Sequence, residues 1–184
     1  MTRYFRALLL TFATFLASLA SPITCSTAFG QQTIQEANAD TQAAQQAAGL
    51  AQASATASKN AVANAITTFP VAAQNAAWNA CFANPNMPFE VLFEAYQIDT
   101  RITNKRTVAS LVYQSGCQDR TKGINEYAAG FAAWNNFQFG QAQTLFCSAE
   151  IDATQACDSY AAAMELLTDA ADLILELVLL NASY

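Results

Sequence analysis

The sequence contains no histidine, and this absence removes several classes of enzyme chemistry. Neither a Ser–His nor a Cys–His nucleophile pair can form, and no imidazole is present to act as a general base. The cysteines lack the Cys-x-x-Cys spacing of structural zinc sites, so we predict no metal and no other cofactor. Glu90 and Glu94 share one face of a predicted helix, but no cleft motif accompanies them. We therefore predict that the protein is not an enzyme.

Glycine and charged residues are also scarce. The six glycines are scattered, so no Gly-rich loop is available to bind a phosphate group. Charged residues make up only 12% of the chain, and acidic residues outnumber basic ones to give a net charge of −6. Because an acidic protein is repelled by phosphate backbones, we expect no nucleic-acid partner.

The first thirty residues follow the pattern of a secretory signal peptide. Arg3 and Arg6 precede an apolar run over residues 7–20, and small residues follow between positions 18 and 28. The apolar run is shorter than the roughly 20 residues that a membrane span requires. We predict cleavage between residues 20 and 30, and a secreted, extracellular protein without a membrane span. Cleavage near residue 30 would also remove Cys25 and leave an even number of cysteines.

Residues 31–69 are predicted to form one long helix rich in alanine and glutamine. The range contains no proline and a single glycine, Gly49, and alanine is the best helix former. A seven-residue repeat gives it a seam of mostly small side chains: Ile34, Thr41, Ala48, Ala55, Val62 and Phe69 at one position, and Ala37, Ala44, Ala51, Ser58 and Ala65 at the other. Three interpretations stay open: a helix of an internal bundle, a self-associating seam, or a partly frayed arm.

The remaining residues, 70–184, are predicted to be helical and to form one domain with 31–69. Pro70 separates the long helix from a second one over 71–83, and Pro85 and Pro88 bracket a turn. Asp99 is a candidate N-cap within 89–114, and Gly116 a candidate helix end. Further helices are expected over 123–137 and over 141–180, the latter either as one long helix or as two helices joined near residue 148. The sequence predicts an all-α fold, an irregular bundle of five or six helices stapled by disulfides.

Four cysteines remain after the predicted cleavage, and we expect them to form two disulfides. If residues 147–157 form a continuous helix, Cys147 and Cys157 are about 15 Å apart and cannot bond to each other. Two pairings then remain, Cys81–Cys157 with Cys117–Cys147, or Cys81–Cys147 with Cys117–Cys157. A helix break near residue 148 would instead allow Cys147–Cys157 with Cys81–Cys117.

The C-terminal helix carries two opposite stripes. One is apolar and consists of Cys157, Tyr160, Met164, Leu167, Ala171, Ile174 and Val178. The other is acidic and consists of Asp158, Glu165, Asp169, Asp172 and Glu176. The acidic stripe is interpreted as a solvated outer face, as a pH-sensitive surface that controls assembly, or as a partner for basic groups. The basic groups of this chain are concentrated in one segment: Arg101, Lys105, Arg106, Arg120 and Lys122.

Residues 173–180 are apolar on nearly every side of the helix. A helix of this kind requires burial all round, at the centre of a bundle, against a second subunit, or around an apolar ligand. The predicted assembly face consists of Leu173, Ile174, Leu177, Val178 and Leu180. Nine aromatic residues are predicted to form the core: Trp78, Phe82, Phe89, Phe93, Tyr96, Phe131, Trp134, Phe137 and Phe146.

Two functional hypotheses follow from these patterns. The first is a secreted, non-catalytic structural or assembly protein that self-associates through its Ala-rich or Leu-rich helices, or binds other secreted proteins. The second is a secreted carrier that holds a small apolar ligand inside the bundle, where aromatic side chains would line the pocket.

Overall fold

The computed structural model describes residues 33–184, and helices make up nearly all of this range. Four helices follow one another: α1 (Ile34–Thr67), α2 (Val71–Ala83), α3 (Phe89–Asn135) and α4 (Phe139–Ala182). The predicted all-α class is therefore confirmed for this part of the chain. The predicted signal peptide, its cleavage site and Cys25 lie outside the described residues.

The four helices form a long bundle with three sides: α3 and α4 make up one side each, and α1 and α2 together make up the third. Helices α1 and α2 run parallel to α4 and antiparallel to α3. At one end, Trp134 Nε1 of α3 donates a hydrogen bond of 2.9 Å to Asn38 Oδ1 of α1. At the other end, Asn84 Nδ2, just after α2, donates one of 3.1 Å to Asn181 Oδ1 of α4. A helix of 47 residues, the length of α3, is about 70 Å long, so the bundle is a rod.

The prediction of five or six helices is wrong, because three interruptions suggested by the sequence do not occur. Helix α3 continues through Asp99 and through Gly116, and α4 continues through Ser148. Asp99 caps no helix; its carboxylate instead accepts a hydrogen bond of 2.8 Å from Gln74 Nε2 of α2. The breaks that involve proline do occur, at Pro70 and between α2 and α3. Proline lacks the backbone N–H and blocks the helix sterically, whereas Asp and Gly only lower helix propensity.

The alanine seam of α1 packs inside the bundle. The helix begins with a capping box, in which Thr33 Oγ1 accepts from the backbone N–H of Glu36 and the Glu36 carboxylate accepts from the backbone N–H of Thr33. Its buried residues all belong to the predicted seam: Thr41, Ala44, Ala48, Ala55 and Val62. One residue of the predicted seam, Ile34 in the first turn, is instead 78% exposed. Of the three interpretations of this helix, the structure therefore supports the helix of an internal bundle.

The break at Pro70 is closed by side chains from α3. Phe69, at the junction, is buried, and the Arg106 guanidinium lies 4.7 Å from the centre of its ring. Arg106 Nη1 also donates a hydrogen bond of 3.2 Å to Gln74 Oε1, and Gln74 is itself buried in α2. These contacts from α3 fix α2 next to the end of α1, so that α1 and α2 together form one side of the bundle.

Three glycines of α3, seven residues apart, receive large side chains from the neighbouring helices. A Cβ atom at Gly116 would lie 2.9 Å from Tyr160 Cε1, and one at Gly130 would lie 2.7 Å from Phe146 Cε1. At Gly123 the nearest atom is Gln52 Nε2 of α1, at 2.5 Å. Glycine stands inside α3 because any side chain at these positions would collide with its neighbours. The core around them is built mostly from alanine, so the helices approach closely.

The prediction of a disulfide-stapled bundle is wrong for the pairings expected from the sequence. Cys81, Cys117 and Cys157 are free thiols, which excludes all three pairings. Cys81 Sγ lies 3.6 Å from the Leu177 carbonyl oxygen, and on a continuous α4 residue 177 is about 30 Å from residue 157. Cys117 accepts a hydrogen bond from Tyr160 Oη, whereas Cys157 contacts Ser54 of α1. Because the helices are uninterrupted, Cys81 and Cys157 lie at different levels along the rod. Cys117 and Cys157 contact different residues.

Candidate assembly surface

Five aromatic residues lie together at the α2 end of the bundle, and we call this group the aromatic surface: Trp78, Phe82, Phe89, Phe93 and Tyr96. Ring centres are 6.3 Å apart for Trp78 and Phe82, 6.2 Å for Trp78 and Tyr96, and 6.4 Å for Phe93 and Tyr96. Phe89 lies one helical turn before Phe93 on the same face of α3. The surface thus continues from α2 across to α3.

Most of this group is exposed, so the prediction that these aromatic residues form the core is wrong. The exposed fractions are 70% for Phe82, 78% for Phe89, 53% for Phe93 and 55% for Tyr96, and only Trp78 is partly buried against the core. At the other end of the rod, Phe137 is 81% exposed, whereas Phe146 is fully buried. Contiguous exposed apolar side chains of this size mark an interaction surface.

The helix that carries part of the aromatic surface has no charge. No Asp, Glu, Lys or Arg occurs from Asn60 to Phe89, a range that covers the end of α1 and all of α2. The first flanking charges are Lys59 and Glu90. The aromatic surface is therefore bordered on its α2 side by alanine, asparagine and glutamine, and no ion has to be desolvated there when another molecule binds.

The predicted assembly face on α4 is divided between the core and the surface. Leu173, Ile174 and Leu177 are buried inside the bundle, and Leu180 is half-buried. The outer side of the same segment consists of Val178 and two residues that the prediction omitted: Leu175 and Leu179, which are 49% and 59% exposed. This apolar strip lies at the same end of the rod as α2.

All five residues of the acidic stripe are exposed on α4: Asp158, Glu165, Asp169, Asp172 and Glu176. Lys105 Nζ of α3 lies 2.7 Å from Asp169 Oδ2, so one member of the stripe is paired with a basic residue of the same chain. The pair is accessible to solvent, and exposed ion pairs of this kind contribute little to stability. The pH sensitivity of the stripe stays a prediction.

A polar cluster near the middle of the rod joins the buried carboxylate of Asp152 to Lys122, whose side chain is 63% exposed. Lys122 Nζ is 2.9 Å from Asp152 Oδ1 and 3.8 Å from Glu126 Oε1, and its pKa is raised mainly by the hydrogen bond to Asp152. Asp152 is only 3% exposed. Within residues 33–184, three buried side-chain oxygens have no hydrogen-bond partner: Gln52 Oε1, Glu126 Oε2 and Asp152 Oδ2. A shift of α3 along α4 would leave the Asp152 charge without its lysine, so this cluster favours one register.

The free thiols have the properties of core residues and not of nucleophiles. Burial raises the pKa of both Cys81 and Cys157, so these thiols are protonated at neutral pH. Burial also raises the pKa of Tyr160 and of Tyr113, and the neighbouring Cys117 adds to both shifts. Among residues 33–184, no cluster of three or more His, Cys, Asp or Glu side chains is arranged to hold a metal ion.

An open cleft lies at the end of the rod opposite to α2. Its volume is about 570 Å³, and aromatic side chains dominate its lining: Trp134, Phe137 and Phe139, together with Ile34 and Asn38. Phe137 has a φ of 59°, a conformation that non-glycine residues rarely adopt. This conformation forms the tight turn from α3 into α4 and directs the exposed Phe137 ring towards Phe139, 6.2 Å away.

None of the helices within residues 33–184 has an apolar stretch of the length and hydropathy needed to cross a membrane. Sequence reasoning missed the aromatic surface because helical periodicity places Phe89, Phe93 and Tyr96 on one face without indicating whether that face is buried. The absence of charge from residue 60 to residue 89 was the available signal.

Comparison with protein-family models gave no match, and comparisons with curated proteins and with solved structures gave none either.

Proposed function

We propose that the protein is a secreted, non-catalytic structural protein of an extracellular secretion or matrix, and that it assembles with copies of itself. The aromatic surface is the observation that carries this proposal. Four large aromatic side chains, more than half exposed, lie on the surface of a rod whose core residues are buried. Exposed apolar area of this kind is costly in water, and association with another protein surface removes the cost.

The surface used for assembly differs from the alanine seam considered at first. That seam is buried within a single chain, so it is not available to a second one. The Leu-rich helix contributes through its outer side, Leu175, Val178 and Leu179, because Leu173, Ile174 and Leu177 already pack in the core. Assembly thus depends on the α2 end of the rod.

The test is the mass of the protein in solution. The protein is collected from the medium of a secreting host and measured by light scattering over a wide range of concentrations. We expect a mass above that of one chain, increasing with concentration. A single-chain mass at every concentration would contradict assembly, and retention of the chain inside the host would contradict secretion.

The second candidate function is transport of a small apolar ligand, and the open cleft supports it. Its lining of Trp134, Phe137 and Phe139 offers aromatic contacts, and its volume of about 570 Å³ lies in the range of small-molecule sites. Binding of a fluorescent fatty acid tests this function, with Phe137→Ser as the variant and Phe82→Ser, at the opposite end, as the control. If the two variants bind the probe equally well, the cleft is not the site.

A further inference from the structure

We infer that the aromatic surface binds the same surface of a second copy of this chain, with the two α3 helices antiparallel across a two-fold axis. This inference rests on the proposed function, because it specifies how the self-association occurs. The aromatic contact itself is formed by residues of α2 and α3, next to any contribution from the outer side of α4, and it requires no change inside the bundle.

The exposed area is sufficient for such a contact. A large aromatic side chain has about 150–250 Å² to bury. With the exposed fractions observed here, 53–78%, Phe82, Phe89, Phe93 and Tyr96 together supply roughly 400–600 Å². A stable interface of standard size takes about 800 Å² from each partner. The four rings alone therefore supply half or more of the area that one partner contributes to such an interface.

The charge distribution indicates a second copy as the partner. The chain has a net charge of −6, so two copies repel each other over most of their surfaces. Residues 60–89 have no charge, and this range includes all of α2. The α2 side of the aromatic surface is therefore a place where two copies of this acidic protein meet without like-charge repulsion and without burying an ion.

The direction of the contact follows from Glu90 and Arg101. They are eleven residues apart, which is about three turns, so they lie on the same flank of the aromatic face of α3. Both are exposed, and neither forms an ion pair with another described residue. When two copies of α3 run antiparallel with Phe93 opposite Tyr96, Glu90 of each copy lies beside Arg101 of the other. Glu94 is exposed on the same flank, and the Glu94 side chains of the two copies lie beside each other near the two-fold axis, so the two Glu90–Arg101 pairs have to offset this repulsion. In a parallel two-fold arrangement the same flank of the two α3 helices lies on opposite sides of the contact, so Glu90 and Arg101 of different copies do not meet.

The decisive experiment compares the dissociation constant of the dimer for a set of surface variants of the full chain, by analytical ultracentrifugation. The double variant Phe82→Ser/Phe93→Ser is expected to weaken association at least tenfold. The matched control is Leu50→Ser, which changes an equally exposed apolar residue on α1, far from the aromatic surface, and it should associate as the unchanged protein does. Circular dichroism verifies that each variant keeps its helical content.

Charge exchange tests the antiparallel geometry independently. Arg101→Glu alone should weaken the dimer, and the combined change Glu90→Arg/Arg101→Glu should restore it. A monomeric unchanged protein would overturn the proposed function and this inference together. An oligomer that is insensitive to the double aromatic variant would overturn this inference alone, and loss of association without rescue by the charge exchange would overturn the antiparallel arrangement.

Discussion

The ring of Tyr160 on α4 lies against the backbone of Gly116 on α3, so close that a Cβ atom at position 116 would be 2.9 Å from Tyr160 Cε1. The same relationship recurs two heptads later, where Gly130 meets Phe146. Tyr160 and Phe146 are the two largest fully buried side chains of the described residues. In a core built mainly from alanine, glycine on the facing helix provides the space that these two rings occupy.

Replacement of Gly130 by alanine is expected to destabilise the protein, although alanine is the better helix former. The gain in helix propensity is about 1 kcal/mol. The new methyl group would lie 2.7 Å from Phe146 Cε1, and Phe146 is fully buried and cannot move aside. Overpacking of this kind costs about 1–3 kcal/mol. Urea unfolding, followed by the helical signal, measures the net loss.

Gly49→Ala is the matched control for this change. Its nearest neighbour is the hydroxyl of Tyr127, at 3.1 Å, which lies at the far end of a side chain and can shift by a few tenths of an ångström. The helix-propensity gain should therefore dominate, and stability should stay the same or rise. Equal losses for both variants would show that glycine is required for a reason other than ring packing.

Substitutions on the buried side of α1 should lower the free energy of unfolding much more than substitutions on its exposed side. Ala48 is fully buried, so Ala48→Leu forces extra methyl groups into a close-packed core and should cost about 1–3 kcal/mol. Ala53 is exposed on the same helix, and Ala53→Leu should leave the free energy of unfolding nearly unchanged. Denaturant unfolding of the two variants provides the comparison. A tolerated Ala48→Leu would mean that α1 does not pack on α3 and α4 through its alanine seam.

Glu150 should make stability depend on pH. Burial raises the pKa of its carboxyl, so the folded chain holds this proton more tightly than the unfolded chain does. The contribution to stability is complete below the unfolded-state pKa of about 4.3 and is lost as the pH rises through the raised folded-state value. Glu150→Gln is therefore expected to raise the Tm at pH 7 and to leave it unchanged at pH 3. Glu165→Gln, at an exposed position of α4, is the control, and an identical response from both variants would contradict the burial argument.

The free thiols provide a direct chemical test of the bundle. Cys81 is only 1% exposed, and the pKa values of Cys81 and Cys157 are raised by burial. We expect iodoacetamide to modify Cys81, Cys117 and Cys157 slowly in the native protein and rapidly in urea, as mass spectrometry of the peptides would show. A disulfide-linked peptide that joins any two of these three residues would contradict the structure.

Local chemistry in the sequence determined the fold class and the positions of two interruptions. Proline stops a helix through its own ring, so Pro70 and the pair Pro85 and Pro88 could be interpreted without knowledge of the neighbours. The seven-residue repeat of α1 likewise identified its buried side correctly, because a helix of this period presents the same residues to any neighbour. The exposure of the acidic stripe on α4 also followed from helical periodicity alone.

The interior glycines could not be interpreted in this way. A glycine such as Gly116 indicates the end of a helix when nothing packs against it. It is found inside a helix when a neighbouring side chain, here the Tyr160 ring, needs the space next to its backbone. The spacing of seven between Gly116, Gly123 and Gly130 was present in the sequence, but its meaning depends on the side chains of α4. The free cysteines follow from the same continuity, because long unbroken helices hold the thiols apart.

The position of the aromatic residues was decided by tertiary structure alone. Each of them lies on an apolar helical face, and the sequence cannot indicate which faces a bundle of three sides will cover. Here the core near α2 is already filled by aliphatic side chains, among them Ile98, Leu173, Ile174 and Leu177. Because the close-packed interior excludes them, Phe82, Phe89, Phe93 and Tyr96 lie on the surface, where they are available to a partner.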